Sequence, residues 1–201
     1  MFSWLPEETQ TELIDLAQRY GQPLVHIADL GTSNQFDPLD QKDRYGEVCM
    51  VIRRKNGRLL TMKKRFYPVG AYRLLTGGIK HGENIFDALL RETEEETSLE
   101  VSVERFLAAA VYRTTTTGEK PTFYTFAFLL NELDGTLHVQ DEGEQVEEFR
   151  EILPEELVER AAFLEQIHAE YSRAIGGSWR DWGHFRAVIH SLVWQALSSV
   201  E

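Results

Sequence analysis

Cysteine is almost absent from this sequence, because its 201 residues include only Cys49. A single thiol excludes an internal disulfide framework. Cys49 lies in the apolar run from Val48 to Ile52, so we interpret it as a core residue rather than a nucleophile. The sequence also lacks a run of about 20 apolar residues, the length that a bilayer-spanning helix needs. We therefore expect a fold that depends on its own hydrophobic core and does not cross a membrane.

Positive charge is also scarce, since 21 Lys and Arg face 33 Asp and Glu and the net charge is −12. This balance argues against stable binding of nucleic acid or of anionic membranes. The first residues lack the basic and apolar regions of a signal peptide, so we expect a cytoplasmic protein. Hydrophobic residues make up 42% and charged residues 27%, which is typical of globular domains.

The order of hydrophobic patterns predicts one domain with extra helices at both ends. We expect a helix over 6–20, irregular chain over 21–45 and a hairpin pairing 48–54 with 59–66 around Asn56-Gly57. Further on, the patterns predict an extended segment at 71–76, a helix at 84–97, strands at 101–115, 121–131 and 146–152, a helix at 155–168 and a last helix capped by Ser178. This order favours an α/β fold in which helices cover both faces of a mixed sheet.

The helix predicted over 84–97 holds the most informative charges in the sequence. At about 100° per residue, Glu92, Glu95 and Glu96 fall within one arc, and Glu96 lies at the edge of the apolar face. A buried carboxylate is costly unless a positive group compensates it, and Mg²⁺ prefers oxygen ligands. We therefore interpret the three glutamates as metal ligands, with Arg91 able to hold Glu95. The alternative is an ordinary solvated acidic face.

The segment before this helix has the opposite charge. Residues 48–82 contain no Asp or Glu but nine Lys and Arg, which suggests an anion site beside the metal site. Among the nine, we expect Arg73, which precedes the Gly77-Gly78 turn, and Lys80 to contact phosphate. Glycine at this turn lets backbone carbonyls approach a metal closely. The alternative for the basic residues is an exposed hairpin face.

Residues 77–99 resemble the signature of the Nudix hydrolases, G-x5-E-x7-R-E-U-x-E-E-x-G-U, in which U is a bulky aliphatic residue. The residues that match in register are Gly77, Glu83, Arg91, Glu92, Glu95, Glu96 and Leu99. Thr93 stands where an aliphatic residue is usual, and Ser98 replaces the glycine. Glycine would form the left-handed helix cap more cheaply than Ser98, but neither departure removes a ligand.

The resemblance implies an α/β/α sandwich that hydrolyses a nucleoside diphosphate derivative with Mg²⁺ or Mn²⁺. It implies that Glu92, Glu95 and Glu96 bind the metal and that the Gly77 carbonyl joins them. Glu83 and Gly78 would then tie the loop to the helix, and Arg91 would orient the glutamates.

A general base or a further metal ligand often lies in a later acidic loop of such folds. The candidates here are Glu142 and Glu144, in the run Asp141-Glu142-Gly143-Glu144 before the strand at 146–152. Either could act in catalysis together with Glu95 and Glu96. The alternative is a solvated turn.

The resemblance leaves the substrate open among nucleotide sugars, ADP-ribose and dinucleoside polyphosphates. Aromatic candidates for stacking on a base are Phe66, Tyr67, Tyr72, Tyr112 and Phe123, although each is also an ordinary packing residue. A nucleotide sensor that binds without cleaving is the alternative function, but such proteins normally lose the glutamates first. Isomerase chemistry on an isoprenyl diphosphate gains little support from the buried Cys49.

We expect 1–44 to form a helix with an irregular lead-in and 45–170 to form the Nudix-like domain. Residues 171–201 are expected to form an amphipathic helix packed on that domain. The terminal helices could also shield the substrate or form a homodimer contact, and the sequence leaves these roles open. The expected partner of the protein is a small molecule.

Overall fold

The computed structural model describes residues 2–31, 43–114, 120–140, 143 and 145–199. Its α-helices are α1 Glu7–Tyr20, α2 Ile85–Thr97, α3 Leu157–Glu165 and α4 Trp179–Ser198. The strands of the main sheet are β1 Leu24–Leu30, β2 Arg44–Arg53, β3 Leu59–Lys64, β4 Leu75–Lys80, β5 Leu99–Thr114, β6 Phe123–Gly135 and β7 Val146–Ile152. Strands β8 Tyr171–Ser172 and β9 Gly177–Ser178 form a small separate hairpin. None of the helices in these ranges combines the length and apolar character needed to span a bilayer.

The main sheet is mixed and has the order β1-β5-β6-β2-β3-β7. Strand β2 is central, because it pairs in parallel with β6 on one side and antiparallel with β4 and β3 on the other. Strand β1 runs parallel to β5 at one edge, and β7 runs antiparallel to β3 at the other. Central strands buried on both faces explain the nearly continuous apolar run in β2.

Alternate side chains of β2 belong to different hydrophobic clusters. Val48 and Met50 pack with α1 and α2, whereas Cys49 and Val51 pack with α3 and α4. Because successive side chains of a strand point to opposite faces, one helix pair covers each face of the sheet. This three-layer arrangement confirms the predicted α/β/α sandwich, and Cys49 is the buried thiol that its apolar run indicated.

The predicted helices are present with small changes at their ends. Helix α4 begins after Ser178, whose hydroxyl accepts a hydrogen bond from the Arg180 N–H at 3.2 Å, as the capping prediction requires. The helix predicted over 155–168 is shorter, because a 3-10 helix occupies Pro154–Glu156 and α3 ends at Glu165. Apolar residues of α4 such as Phe185 and Ile189 pack against the sheet.

One strand was missed, and two predicted strand features differ in extent. Residues 24–30 form β1 rather than irregular chain, because parallel pairing with β5 organises this edge segment although only Ala28 and Leu30 are buried. The expected β2–β3 hairpin is present, and the Arg54 N–H donates to the Arg58 carbonyl at 2.8 Å across its turn. Its ladder is limited to the pair of Arg53 and Leu59, because β4 pairs with β2 between Arg44 and Met50. The extended segment begins later than expected, and the Arg73 backbone forms an isolated bridge with Met62 before β4 starts.

Candidate active site

A cleft of about 430 Å³ opens where the β2–β4 pair meets helices from both layers. Its lining includes, among others, Glu47 of β2, Gly77, Gly78 and Lys80 of β4, Glu92 and Glu96 of α2, Arg73 before β4, and Trp182 and Arg186 of α4. The cleft therefore contains carboxylates from one helix and a cation from a helix on the opposite face of the sheet. This arrangement can accommodate both a metal ion and an anionic group.

Helix α2 presents two carboxylates that are almost fully buried. Glu92 is 8% exposed and Glu96 is 1% exposed, and both line the cleft. The Glu92 side chain lies against Gly77, where a Cβ atom would come within 2.2 Å of the Glu92 carboxyl carbon. Only glycine at 77 permits this packing of a carboxylate directly on the backbone of β4.

Arg91 holds the loop, the helix and two of the glutamates together. Its Nε and Nη2 donate to the two Glu83 oxygens at 2.7 and 2.9 Å, and Nη2 also donates to the Gly78 carbonyl at 3.0 Å. Its Nη1 donates to Glu92 Oε1 at 2.7 Å and to Glu95 Oε2 at 3.0 Å. The Arg91 hydrogen bond lowers the pKa of the Glu83 carboxyl, which therefore stays ionised and fixes the loop to α2.

The three predicted ligand glutamates do not have equal positions. Glu92 and Glu96 line the cleft, whereas the Glu95 side chain is 47% exposed and is not among the cleft-lining residues. Glu95 instead shares the Arg91 guanidinium with Glu92. The structure thus brings Glu92, Glu96 and Gly77 together at the cleft and leaves Glu95 beside Arg91.

The donor chemistry at the cleft suits a hard divalent ion. In the part of the chain that is described, no group of three or more His, Cys, Asp or Glu side chains has the arrangement of a metal site. Among the predicted ligands, the oxygen donors that line the cleft are the Glu92 and Glu96 carboxylates and the backbone at Gly77. Mg²⁺ is commonly bound by one or two carboxylates and completed by water and substrate phosphate, so this set fits that ion.

The two basic residues predicted to bind substrate both line the cleft. Arg73 is 2% exposed, and its guanidinium donates to the Tyr67 hydroxyl at 3.0 Å and to the Leu74 carbonyl at 2.7 Å. Burial alone would lower the pKa of Arg73, but Tyr67 and Glu96 raise it, so the side chain stays charged. Lys80 is exposed at the cleft, and its backbone N–H donates to Glu83 Oε2 at 3.0 Å.

A buried ion pair in this cleft was not predicted from the sequence. Arg186 Nη1 donates to Glu47 Oε1 at 2.6 Å, and the Thr125 hydroxyl donates to the same oxygen at 2.9 Å. The available signal was the charge of Arg186 at a position where α4 is otherwise apolar, between Trp182 and Ile189. Glu47 gave no signal, because its pairing depends on a helix distant in sequence.

The aromatic and late acidic candidates differ in where the structure places them. Phe66, Tyr67 and Phe123 line the cleft, whereas Tyr72 and Tyr112 are core residues that are not part of the cleft lining. Glu142 and Glu144 lie outside the described residues, and so does Asp141.

The sequence of this chain is similar to that of a known family and of a curated relative. The family model described as NUDIX domain matches residues 44–175. A curated relative, Nudix hydrolase 6 of Arabidopsis thaliana, is 34% identical over 74 residues, which cover 35% of this chain and 26% of the relative. The chain thus matches about a quarter of the length of that relative.

Solved structures resemble the chain at low sequence identity. The binary complex of a C. elegans Ap4A hydrolase is 18% identical, with a TM-score of 0.47, and the match covers 76% of this chain and 96% of that one. An ADP-ribose pyrophosphatase from Streptococcus suis is 15% identical, with a TM-score of 0.44, and the match covers 78% and 93% of the two chains.

Proposed function

The chain belongs to the Nudix family, and from this membership we propose that it is a metal-dependent hydrolase. The bond cleaved is the pyrophosphate bond of a nucleoside diphosphate linked to another moiety. Nucleotide sugars, ADP-ribose and dinucleoside polyphosphates are the substrate types within this proposal. The activities in the names of the relatives apply to those proteins. The experiment below determines which of the three substrate types this chain cleaves.

One observation supports the proposal above the others: two buried glutamates of α2 and a buried arginine line the same cleft. Glu92 and Glu96 supply negative charge there, and Arg73 supplies positive charge. Burying charged groups costs several kcal/mol per ion even where they are paired, as Glu92 is with Arg91, so three such groups at one open cleft favour a site for charged ligands. A metal ion with a diphosphate supplies both complementary charges.

The residues of the chain have separable tasks in this reaction. Glu92, Glu96 and the Gly77 carbonyl would hold Mg²⁺ or Mn²⁺, while Arg73 and Lys80 would bind phosphate oxygens. When bound, the metal neutralises phosphate charge and lowers the pKa of a water molecule that attacks phosphorus.

Proton transfer and site geometry fall to other glutamates and to Arg91. Glu95, which shares the Arg91 guanidinium with Glu92, is a candidate to accept the proton of the attacking water or to complete the metal ligands. Glu142 and Glu144 are candidates for the same tasks. Arg91 and Glu83 keep the loop that contains Gly78 fixed to α2 through their paired hydrogen bonds, so the oxygen donors stay in position.

The proposal is tested by incubating the protein with Mg²⁺ and a panel of ADP-ribose, UDP-glucose and diadenosine tetraphosphate, with products separated by chromatography. We expect turnover of at least one compound, abolished by EDTA. Glu96→Gln should lower the rate by at least about 100-fold, since loss of a metal ligand removes several kcal/mol of transition-state stabilisation. Glu94→Gln is the matched control, because Glu94 is exposed on the same helix.

Two results would count against the proposal. Wild-type rates in both Glu95→Gln and Glu96→Gln would refute their assignment to the reaction. Tight binding of a panel member that is recovered intact in the presence of Mg²⁺ would identify the chain as a nucleotide sensor instead of an enzyme.

A further inference from the structure

Part of the cleft wall comes from a segment outside the family match. The match ends at residue 175, yet Trp182 and Arg186 of α4 line the cleft beside the buried glutamates. Both side chains are almost fully buried, with exposures of 2% and 8%. The C-terminal helix therefore contributes side chains to the site as well as to the core.

Arg186 is held firmly, but its hydrogen-bonding capacity is only partly used. Its Nη1 donates to Glu47 Oε1 at 2.6 Å, and its guanidinium carbon lies 4.6 Å from the centre of the Phe185 ring. Its Nε is buried without a hydrogen-bond partner among the described residues. A buried donor that lacks an acceptor is destabilising, so an acceptor supplied from the cleft would remove a cost that the free protein bears.

The chemistry of the cleft indicates which acceptor this is. A guanidinium presents several N–H donors in one plane and pairs with phosphate through more than one of them. Glu47 balances the charge of Arg186 and fixes its position, which reduces the entropy lost when a ligand binds. Lys64 and Arg173 also line the cleft and add positive potential for an anion.

We propose that Arg186 is a substrate-binding residue that contacts a phosphate oxygen of the diphosphate from the α4 wall of the cleft, and that Glu47 is its positioning residue. This inference rests on the proposed function, because it takes the diphosphate as the ligand. It assigns part of the anion site to the C-terminal helix, which the family match does not include. Lysine would replace arginine poorly here, since a point charge lacks the planar donors.

The test is calorimetric titration of inorganic pyrophosphate into the protein in EDTA, so that affinity does not depend on a bound metal. We expect Arg186→Gln to raise the dissociation constant at least tenfold and Arg186→Lys to recover only part of the loss. The matched control is Arg180→Gln, an exposed position on the same helix, which should bind as the wild-type protein does.

Two further variants separate ligand binding from a purely structural role. Glu47→Gln removes the negative charge but keeps a side-chain oxygen that can accept from Arg186. It should bind pyrophosphate at least as tightly as wild type, because the guanidinium stays in position and a negative charge is gone. Glu47→Gln with Arg186→Gln removes the unpaired buried carboxylate and should recover thermal stability while binding stays weak. If Arg186 were only a structural partner of Glu47, both single variants would weaken binding equally.

The outcomes distinguish this inference from the proposed function. No pyrophosphate binding by the wild-type protein, or equal dissociation constants for wild type and Arg186→Gln, would overturn the inference even if Mg²⁺-dependent turnover is observed. Binding that depends on Arg186, together with no turnover of the substrate panel, would uphold the inference and refute hydrolysis.

Discussion

At the scale of single residues, the site depends on a missing side chain. Gly77 belongs to β4, and the Glu92 carboxylate occupies the space that a side chain at 77 would need. Since a Cβ there would lie 2.2 Å from two Glu92 side-chain carbons, either Glu92 or the strand has to move. The position of this carboxylate therefore depends on the absence of a single carbon atom.

We predict that Gly77→Ala lowers the turnover of the best substrate by about 100-fold, because a misplaced group in an active site costs about that much. The fold should survive, since Glu92 lies at the cleft and can turn away from the new methyl group. Steady-state kinetics and circular dichroism measure the two effects. Gly31→Ala is the control, because a Cβ at 31 meets no atom within 4 Å. Unchanged kinetics in Gly77→Ala would contradict the role of Glu92.

Sequence spacing predicted which glutamates share one side of α2, but it could not predict which of them are buried. The helical repeat places Glu92, Glu95 and Glu96 within one arc, and the structure then separates Glu95 from the other two by its exposure. Arg186 was missed because its partner Glu47 is 139 positions away. Local spacing contains no information about such a pair.

At the scale of elements, α2 ends on a residue that is poorly suited to its conformation. Ser98 adopts a left-handed conformation with φ of 56°, and its N–H donates to the Glu94 carbonyl at 2.9 Å. A left-handed conformation costs a residue with a Cβ about 1–2 kcal/mol. The Ser98 hydroxyl compensates in part through a contact of 3.1 Å with the His138 ring.

We predict that Ser98→Gly stabilises the protein by about 0.5–1 kcal/mol, because relief of the left-handed strain exceeds the loss of one exposed hydrogen bond. Ser98→Ala is the matched variant, and it should be destabilising since it keeps the strain and loses the hydrogen bond. Urea unfolding at pH 7 measures both free energies. A less stable Ser98→Gly protein would show that the contact with His138 dominates.

The element predictions succeeded where the pattern was local and long. Helices α1, α2 and α4 follow apolar spacing and end signals within one segment, such as the Ser178 cap. Strand β1 was missed because its order comes from parallel pairing with β5, about 80 residues later. The β2–β3 hairpin was predicted correctly, but its short ladder was not, since β4 rather than β3 pairs with most of that side of β2.

At the scale of the whole molecule, His190 joins the α4 layer to the sheet. The His190 ring is fully buried, its Nε2 accepts from the Leu74 N–H at 3.0 Å, and its Nδ1 donates to the Arg186 carbonyl at 2.7 Å. Burial lowers the pKa of His190 to about 3. The neutral ring is therefore the form that holds α4 in place.

This linkage predicts how stability changes with pH. The folded protein keeps His190 neutral down to about pH 3, whereas the unfolded chain protonates this ring below about pH 6.5. Since the unfolded state binds more protons in that window, the free energy of unfolding should fall as pH decreases from 6.5 towards 3. Between pH 7 and pH 5, His190 alone should account for about 2 kcal/mol.

The measurement is urea unfolding of wild type and His190→Gln at pH 7 and pH 5. Glutamine can accept the Leu74 N–H bond but does not titrate, so the variant should be less stable at pH 7 and lose about 2 kcal/mol less on acidification. An equal loss in both proteins would mean that other groups determine the pH dependence.

Local spacing was enough to predict the family and the acidic helix, because the residues at 77–99 need only their spacing and one helical repeat to align their carboxylates. The same local patterns predicted an α/β fold with helices on both faces of a mixed sheet, since amphipathic helices precede, interrupt and follow the run of buried strands. Three features are visible in the folded chain alone: which carboxylates enter the cleft, how β2 is shared between β3 and β4, and that Arg186 of α4 reaches the site. Those outcomes depend on contacts between segments far apart in sequence, where packing and charge pairing act and local pattern does not.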